Sequence, residues 1–312
     1  MKKFIKSILT FFIPIILAGV LIEYALEKIP NDYKLKSQKL DSLANRIEIL
    51  VLGNSHFYYG IDPAYFKEKA FNAAYLSQTL DYDYKLLEKY KNKFDSLKAI
   101  IIPIDYFSYY FQLGKSTDAD RVKNYILYYD IIMFKDLKLN NTTEIFNNTL
   151  RFNLTRLNDY YRQNKKSIFS NEWGWGTDYK SYQNQNLILT GETAAKRHKE
   201  LSSSNEFYEN LNTLRSIIKL AAEIKIEVIL ITSPGCQSYI KNLDNNQLYK
   251  TINTTQKLEK EFINVHYYNL LHDPILEDRD FYDADHLNER GAKIFSLQID
   301  SLYKSVKSSY KF

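Results

Sequence analysis

Residues 47–53, "IEILVLG", form a run that is apolar but for Glu48, with β-branched side chains, and is closed by a glycine. A run of this length and texture predicts a strand buried on both faces. The same texture returns at 97–105 ("LKAIIIPID") and 227–235 ("EVILITSPG"), again at 265–271 ("VHYYNLL"), and briefly at 70–74. Between these runs the pattern takes a helical period. "TLDYDYKLLEKYKNKF" sets Leu80, Tyr84, Leu87 and Tyr90 along one side of a helix. "NEFYENLNTLRSIIKLAAEIKI" and "LDNNQLYKTINTTQKLEKEF" also read as helices, and the chain closes on another after a polar loop that begins at His272. Nearly all-apolar strands alternating with helices predict an α/β fold: a three-layer α/β/α sandwich around a mostly parallel sheet. Residues 106–205 interrupt the rhythm. They are rich in Tyr, Asn, Lys and Thr, and read as a long insertion after the third strand.

The first thirty residues follow a different pattern. Lys2, Lys3 and Lys6 precede a stretch that is uncharged from Ser7 to Ile22, and Glu23 and Glu27 follow it. With flanking apolar residues this reaches roughly the ~20 residues of a bilayer span. Lysines before the run and acids after it predict an N-inside, C-outside orientation. A cleaved signal peptide needs a small-x-small site after the apolar core, which "AGVLIEYA" supplies poorly. The expected organisation is a signal anchor at 1–30, a tether or short leading helix at 31–46, and one α/β domain at 47–312 carrying the insertion 106–205. The domain is expected outside the cytoplasmic membrane.

Composition narrows the function. The chain is 45% hydrophobic and 25% charged, as folded proteins are. Its net charge of +5 is dispersed among acids, with no basic block, which argues against nucleic acid as a partner. Cys236 is the single cysteine, so no intramolecular disulfide or cysteine-based metal cluster can form. The five histidines show no HExxH spacing, and there is no Walker loop or GxGxxG. No metal or organic cofactor is expected.

Ligands of parallel α/β sheets bind at the carboxyl ends of the strands. Ser55, Asp105, the Ser233–Pro234 turn and the loop before the last helix all fall there. A serine becomes a nucleophile when a histidine takes its proton and a carboxylate orients that histidine. "FYDADHLNERGAKIF" offers such a pair, Asp283 and His286, three residues apart at the entrance of the last helix. Asp285 is the alternative carboxylate. Each residue also has an ordinary structural reading: Gly-Asn-Ser as a turn, Asp283 as a helix cap, His286 as a surface side chain. His56 divides between substrate contact and loop packing, and Asp105 between lining the cleft and ending a strand.

A serine in a "GNSH" turn after the first strand, with a late "DADHLN", resembles the SGNH (GDSL-type) hydrolase superfamily, whose fold is flavodoxin-like. The resemblance covers residues 47–105 and 206–305. It implies Ser55 as nucleophile, His286 as general base and acid, and Asp283 as its orienting carboxylate. It also implies an oxyanion hole made by the serine N–H, a glycine N–H after the second strand and an Asn after the third. Here Ser77 stands in the region of the glycine, and the Gly-x-Asn-Asp block is absent. Asn54, His56 and a residue of the insertion are candidate replacements.

The layout with an N-terminal anchor is similar to membrane-tethered relatives in alginate and cell-wall O-acetylation and teichoic-acid D-alanylation. That likeness implies an esterase or O-acyltransferase acting on acyl groups, acetyl above all, of envelope polysaccharide, with a membrane acyl-donor protein as a partner. The alternative is a non-catalytic scaffold of such a system. Trp173 and Trp175, in the aromatic part of the insertion, are candidate glycan contacts, with core packing as the ordinary reading.

Overall fold

The computed structural model describes residues 1–309. Helices α1 (Lys2–Lys28) and α2 (Asp32–Leu43) lead into strand β1 (Ile49–Val51), helix α3 (Ser55–Gly60), strand β2 (Ala70–Asn72), helix α4 (Leu80–Tyr90) and strand β3 (Ala99–Pro103). Helices α5 (Val122–Tyr129), α6 (Glu144–Asn147), α7 (Leu150–Tyr161), α8 (Leu187–Leu201) and α9 (Phe207–Glu223) follow. The chain continues through strand β4 (Glu227–Thr232), helices α10 (Gln237–Ile240) and α11 (Asn245–Glu261), and strand β5 (Val265–Asn269). It ends with strands β6 (Phe281–Asp283) and β7 (His286–Leu287) and helix α12 (Glu289–Ser309).

These elements divide into two compact units. One comprises Met1–Ser37 and Thr117–Phe169; the other comprises Gln38–Ser116 and the chain from Ser170 onward. The predicted insertion is therefore split, with its middle belonging to the unit of the N-terminal helix and its two flanks to the sheet-bearing unit. Residues 31–46 are mainly helical, as α2 and a following 3-10 turn.

In the sheet-bearing unit five strands run in the order β2-β1-β3-β4-β5, all parallel. Side chains alternate between faces along each strand. Ile49, Val51, Ile101, Ile229 and Ile231 share one core with Phe57 of α3 and Phe295 and Ile299 of α12. Leu50, Ile100, Ile102 and Leu230, equally buried, project to the other face, which α4 and α9 cover. Both faces are dry, which is why these strands read as continuous apolar runs. The layered α/β architecture is the one expected from the sequence.

The segment before α12 departs from expectation. Asp283 and His286 stand just before the terminal helix as expected, but in place of an irregular loop they end β6 and begin β7, an antiparallel pair. Local polar chemistry makes this hairpin. Asp283 Oδ1 accepts the backbone N–H groups of Asp285 (3.2 Å) and His286 (2.9 Å). Asn288 closes the base by donating to the carbonyls of Arg279 (2.9 Å) and Phe281 (3.1 Å).

In the other unit, α1 is long and apolar enough to cross a membrane, making it a candidate single span or signal anchor. Its C-terminal end packs on α6 and α7. There Glu144 is fully buried and accepts from Lys123 and Arg156 (each 2.7 Å) and from the Tyr128 hydroxyl (2.6 Å). Paired cations with matching hydrogen bonds are what allow a carboxylate to be buried.

Candidate active site

The end of β1 is a sharp elbow whose residues are individually constrained. Gly53 has φ +106°, and a Cβ there would lie 2.2 Å from the Pro103 ring. Only glycine fits both the conformation and the space. Asn54 then caps α3, its side-chain oxygen accepting the His56 N–H at 2.9 Å. Ser55 is the first residue of that helix. From the first turn of α4, the buried Asp83 accepts the Gly53 N–H at 2.9 Å and the Gln78 amide at 2.6 Å. Burial pushes the Asp83 carboxyl up to about 7.

Across from the elbow, His286 Nε2 lies 2.9 Å from Ser55 Oγ, and His286 Nδ1 lies 2.9 Å from Asp283 Oδ1. Asp285 Oδ1 is a second carboxylate oxygen 3.6 Å from the same Nδ1. Burial alone favours neutral His286, but Asp283 and Asp285 outweigh it and hold the imidazole above the ordinary histidine range. Tyr59 and Tyr179 meet the ring in T-shaped contacts, and Tyr282 packs on Tyr179. Tyr179 stacks on both partners at centroid distances of 3.6 and 3.9 Å, and its edge meets His286 at 5.5 Å.

A second charged network adjoins the first. His56 is buried between Asp105, with which Nδ1 makes a 2.9 Å ion-pair contact lacking hydrogen-bond alignment, and Asp285, 3.5 Å from Nε2. Burial works against a charged His56, yet these carboxylates prevail and raise its pKa. Asp105 is held in turn by Asn54 Nδ2 (2.8 Å) and the Ser233 N–H (2.9 Å). The same Asp285 Oδ2 also has His198 Nε2 at 3.7 Å and Arg197 Nη2 at 3.3 Å. Burial drives His198 down to about 3, so it stays neutral, with Nδ1 2.8 Å from the Tyr239 hydroxyl.

His56, His198 and Asp285 bring three ligand atoms within 4.8 Å of one another, a grouping that could hold a cation. The Arg197 guanidinium is a neighbour of two of them, 3.4 Å from His198 Nε2 and 3.3 Å from Asp285 Oδ2.

Among known proteins, no family model and no curated sequence matches the chain. Solved structures with a similar course include a protein described as an acylhydrolase from Bacteroides fragilis. It shares 12% identity at a TM-score of 0.39, over 86% of this chain and 95% of that one. Another is a GDSL-like lipase from Bacteroides thetaiotaomicron, with 12% identity and a TM-score of 0.40 over 88% of this chain and 98% of that one.

Of the residues singled out in the sequence, Ser55, Asp283 and His286 come together in one hydrogen-bonded line. Asn54, His56 and Asp105 come together in the adjoining network, with the Asn54 amide turned to Asp105. Ser77, in the loop between β2 and α4, has φ +57°, the left-handed conformation that favours glycine. The same loop is tied to the elbow by the Tyr75 N–H donating to the Gly53 carbonyl at 2.9 Å. Trp175 donates its indole N–H to the Tyr59 carbonyl at 2.6 Å. Trp173 lines an apolar cavity of about 150 Å³ with Leu43, Ile47 and Phe71.

Sequence reasoning passed over Asp83, Arg197, His198, Tyr239 and the tyrosine stack. For Asp83 a signal existed: an acid inside a helix's first turn whose neighbours are mostly apolar. His198 and Arg197 lie in the irregular segment, where no periodicity linked them to the strand ends.

Proposed function

We propose that this chain is a serine ester hydrolase of the SGNH type that works through an acyl-enzyme on Ser55. The observation that carries the reading is the Ser55–His286–Asp283 line, with both hydrogen-bond distances at 2.9 Å. In the reactive form His286 is neutral, with its Nδ1 proton donated to Asp283. As Ser55 Oγ attacks the ester carbonyl, His286 Nε2 takes its proton and later delivers it to the leaving alkoxide. Asp283 stabilises the imidazolium formed between these steps. The Ser55 N–H and a backbone N–H of the Ser77 loop are the proposed oxyanion donors, aimed at the charge that develops on the carbonyl oxygen. Water, or a sugar hydroxyl in the transferase variant, then resolves the acyl-enzyme.

The substrate we propose is an O-acylated, most simply O-acetylated, polysaccharide of the cell envelope, met outside the membrane in which α1 is anchored. The apolar α1 and the lysines before it support this placement. Tyr282, the half-buried end of the tyrosine stack, carries a ring of the kind that packs against sugar rings.

A fluorophosphonate probe tests the reading directly. The full chain in detergent is expected to be labelled and Ser55→Ala to be unlabelled. Equal labelling of both proteins, or none of the parent, sinks the serine-enzyme reading and leaves the scaffold reading in its place. Hydrolysis is separated from transfer by supplying an acetyl ester together with a glycan acceptor and following where the acetyl group goes.

A further inference from the structure

The hydrocarbon core of a bilayer is about 30 Å thick and takes roughly 20 helical residues. The uncharged stretch of α1, Ser7 to Ile22, spans only ~24 Å at the helical rise. The missing length must come from one end. Lys2, Lys3 and Lys6 crowd the N-terminal end, so the apolar Ala25 and Leu26 are the residues available to complete the span. With Lys6 at headgroup level, the far edge of the hydrocarbon falls near Leu26.

At that level α1 is not bare. Glu23, an acid that would otherwise face lipid, accepts the backbone N–H groups of Glu144 and Ile145 at 2.7 Å each, at the start of α6. The Tyr161 hydroxyl of α7 donates to the Ala25 carbonyl at 3.0 Å. The unit thus fastens α6 and α7 to the part of the helix that the membrane edge reaches. These elements expose large apolar side chains: Phe146 is 60% exposed, Leu150 57% and Leu154 49%, with Leu139 on the preceding turn at 72%. Leu150 and Leu154, four residues apart, share one face of α7, and Tyr161 lies two turns on. Arg151, beside this face, and Arg162, just past the end of α7, carry charges suited to lipid phosphates. Helices with one apolar face and flanking cations lie in the membrane interface.

We propose that α6 and α7 form a collar lying in the membrane interface at the C-terminal end of α1, with Phe146, Leu150 and Leu154 entering the acyl-chain boundary. The occupant of this apolar surface is the lipid bilayer, and the inference rests on α1 being a span.

The test uses the full chain in nanodiscs of phosphatidylcholine and phosphatidylglycerol. Single cysteines at Leu150 and, independently, Phe146 carry an environment-sensitive fluorophore. Cys236 is buried, and labelling of the parent chain gives its background. Leu9→Cys serves as the benchmark within the span and Tyr249→Cys, on an exposed residue of the other unit, as the aqueous benchmark. Doxyl groups placed shallow on the acyl chains are expected to quench the Leu150→Cys and Phe146→Cys labels about threefold more than the Tyr249→Cys label. If both collar labels match Tyr249→Cys while Leu9→Cys is quenched, the collar is wrong and the span stands. If Leu9→Cys itself escapes quenching, the span reading fails and takes the collar with it.

Discussion

Ser55 Oγ and His286 Nε2 stand 2.9 Å apart although 231 residues separate them in the chain. One side of the contact is a strand-to-helix elbow that tolerates only glycine at its bend. The other is a hairpin turn whose Asp283 holds both the backbone N–H and the ring of His286. If this pair does the chemistry, the three members of the line are unequal. His286→Gln is expected to lower ester hydrolysis by about 10⁴–10⁶, and Asp283→Asn by a smaller ~10²–10⁴, since Asp283 orients rather than transfers. Steady-state hydrolysis of an activated acetyl ester measures both. A full rate with His286→Gln would remove the histidine from the mechanism.

The pH profile follows from the charges around His286. The reactive form is neutral, whereas Asp283 and Asp285 favour the imidazolium. The acidic limb of kcat/KM is therefore expected to have its midpoint above 6.5, the ordinary histidine value. Asp285→Asn removes one of the two carboxylates and should move that midpoint downward. An unchanged midpoint would show that Asp285 is not felt at the ring.

Asp83 predicts a pH effect on stability rather than on rate. Its folded pKa, about 7, lies above the unfolded value of 3.8, so between these limits the native state binds more protons than the unfolded chain. Stability from this group is present at low pH and lost as pH rises through that window. Asp83→Asn, which keeps an oxygen for the Gly53 N–H, should flatten this fall. Thermal unfolding of both proteins in detergent at pH 4, 5.5 and 7 gives the comparison, with the gap in Tm shifting in favour of the variant at the highest pH.

Gly53→Ala places a methyl group against the Pro103 ring at a positive φ. The expected cost is roughly 2–4 kcal/mol, with loss of fluorophosphonate labelling as the elbow shifts. Denaturant unfolding alongside probe labelling measures both. A variant as stable and as reactive as the parent would mean that the elbow is less constrained than its geometry indicates.

The sequence by itself determined the strands of the central sheet, the apolar N-terminal helix, and the small set of residues able to do serine chemistry. These are legible because a doubly buried strand, a membrane-length helix and a Gly-Asn-Ser turn each impose a short-range pattern of residue types. Tertiary structure alone decided the rest. It folded the loop carrying Asp283 and His286 into a hairpin, since the Asn288 side chain satisfies backbone carbonyls that no period in the sequence announces. It turned Asn54 toward Asp105, set Asp285 among His56, His198, Arg197 and His286, and stacked three tyrosines from three distant segments beside the imidazole. Buried charges acquire partners only when segments far apart in the chain are brought within a few ångströms, and the low dielectric there makes those pairings decisive. No local pattern encodes such distances, so the proposed nucleophile was legible only from its turn read together with the late Asp-x-x-His, while the electrostatics around its proposed base were not.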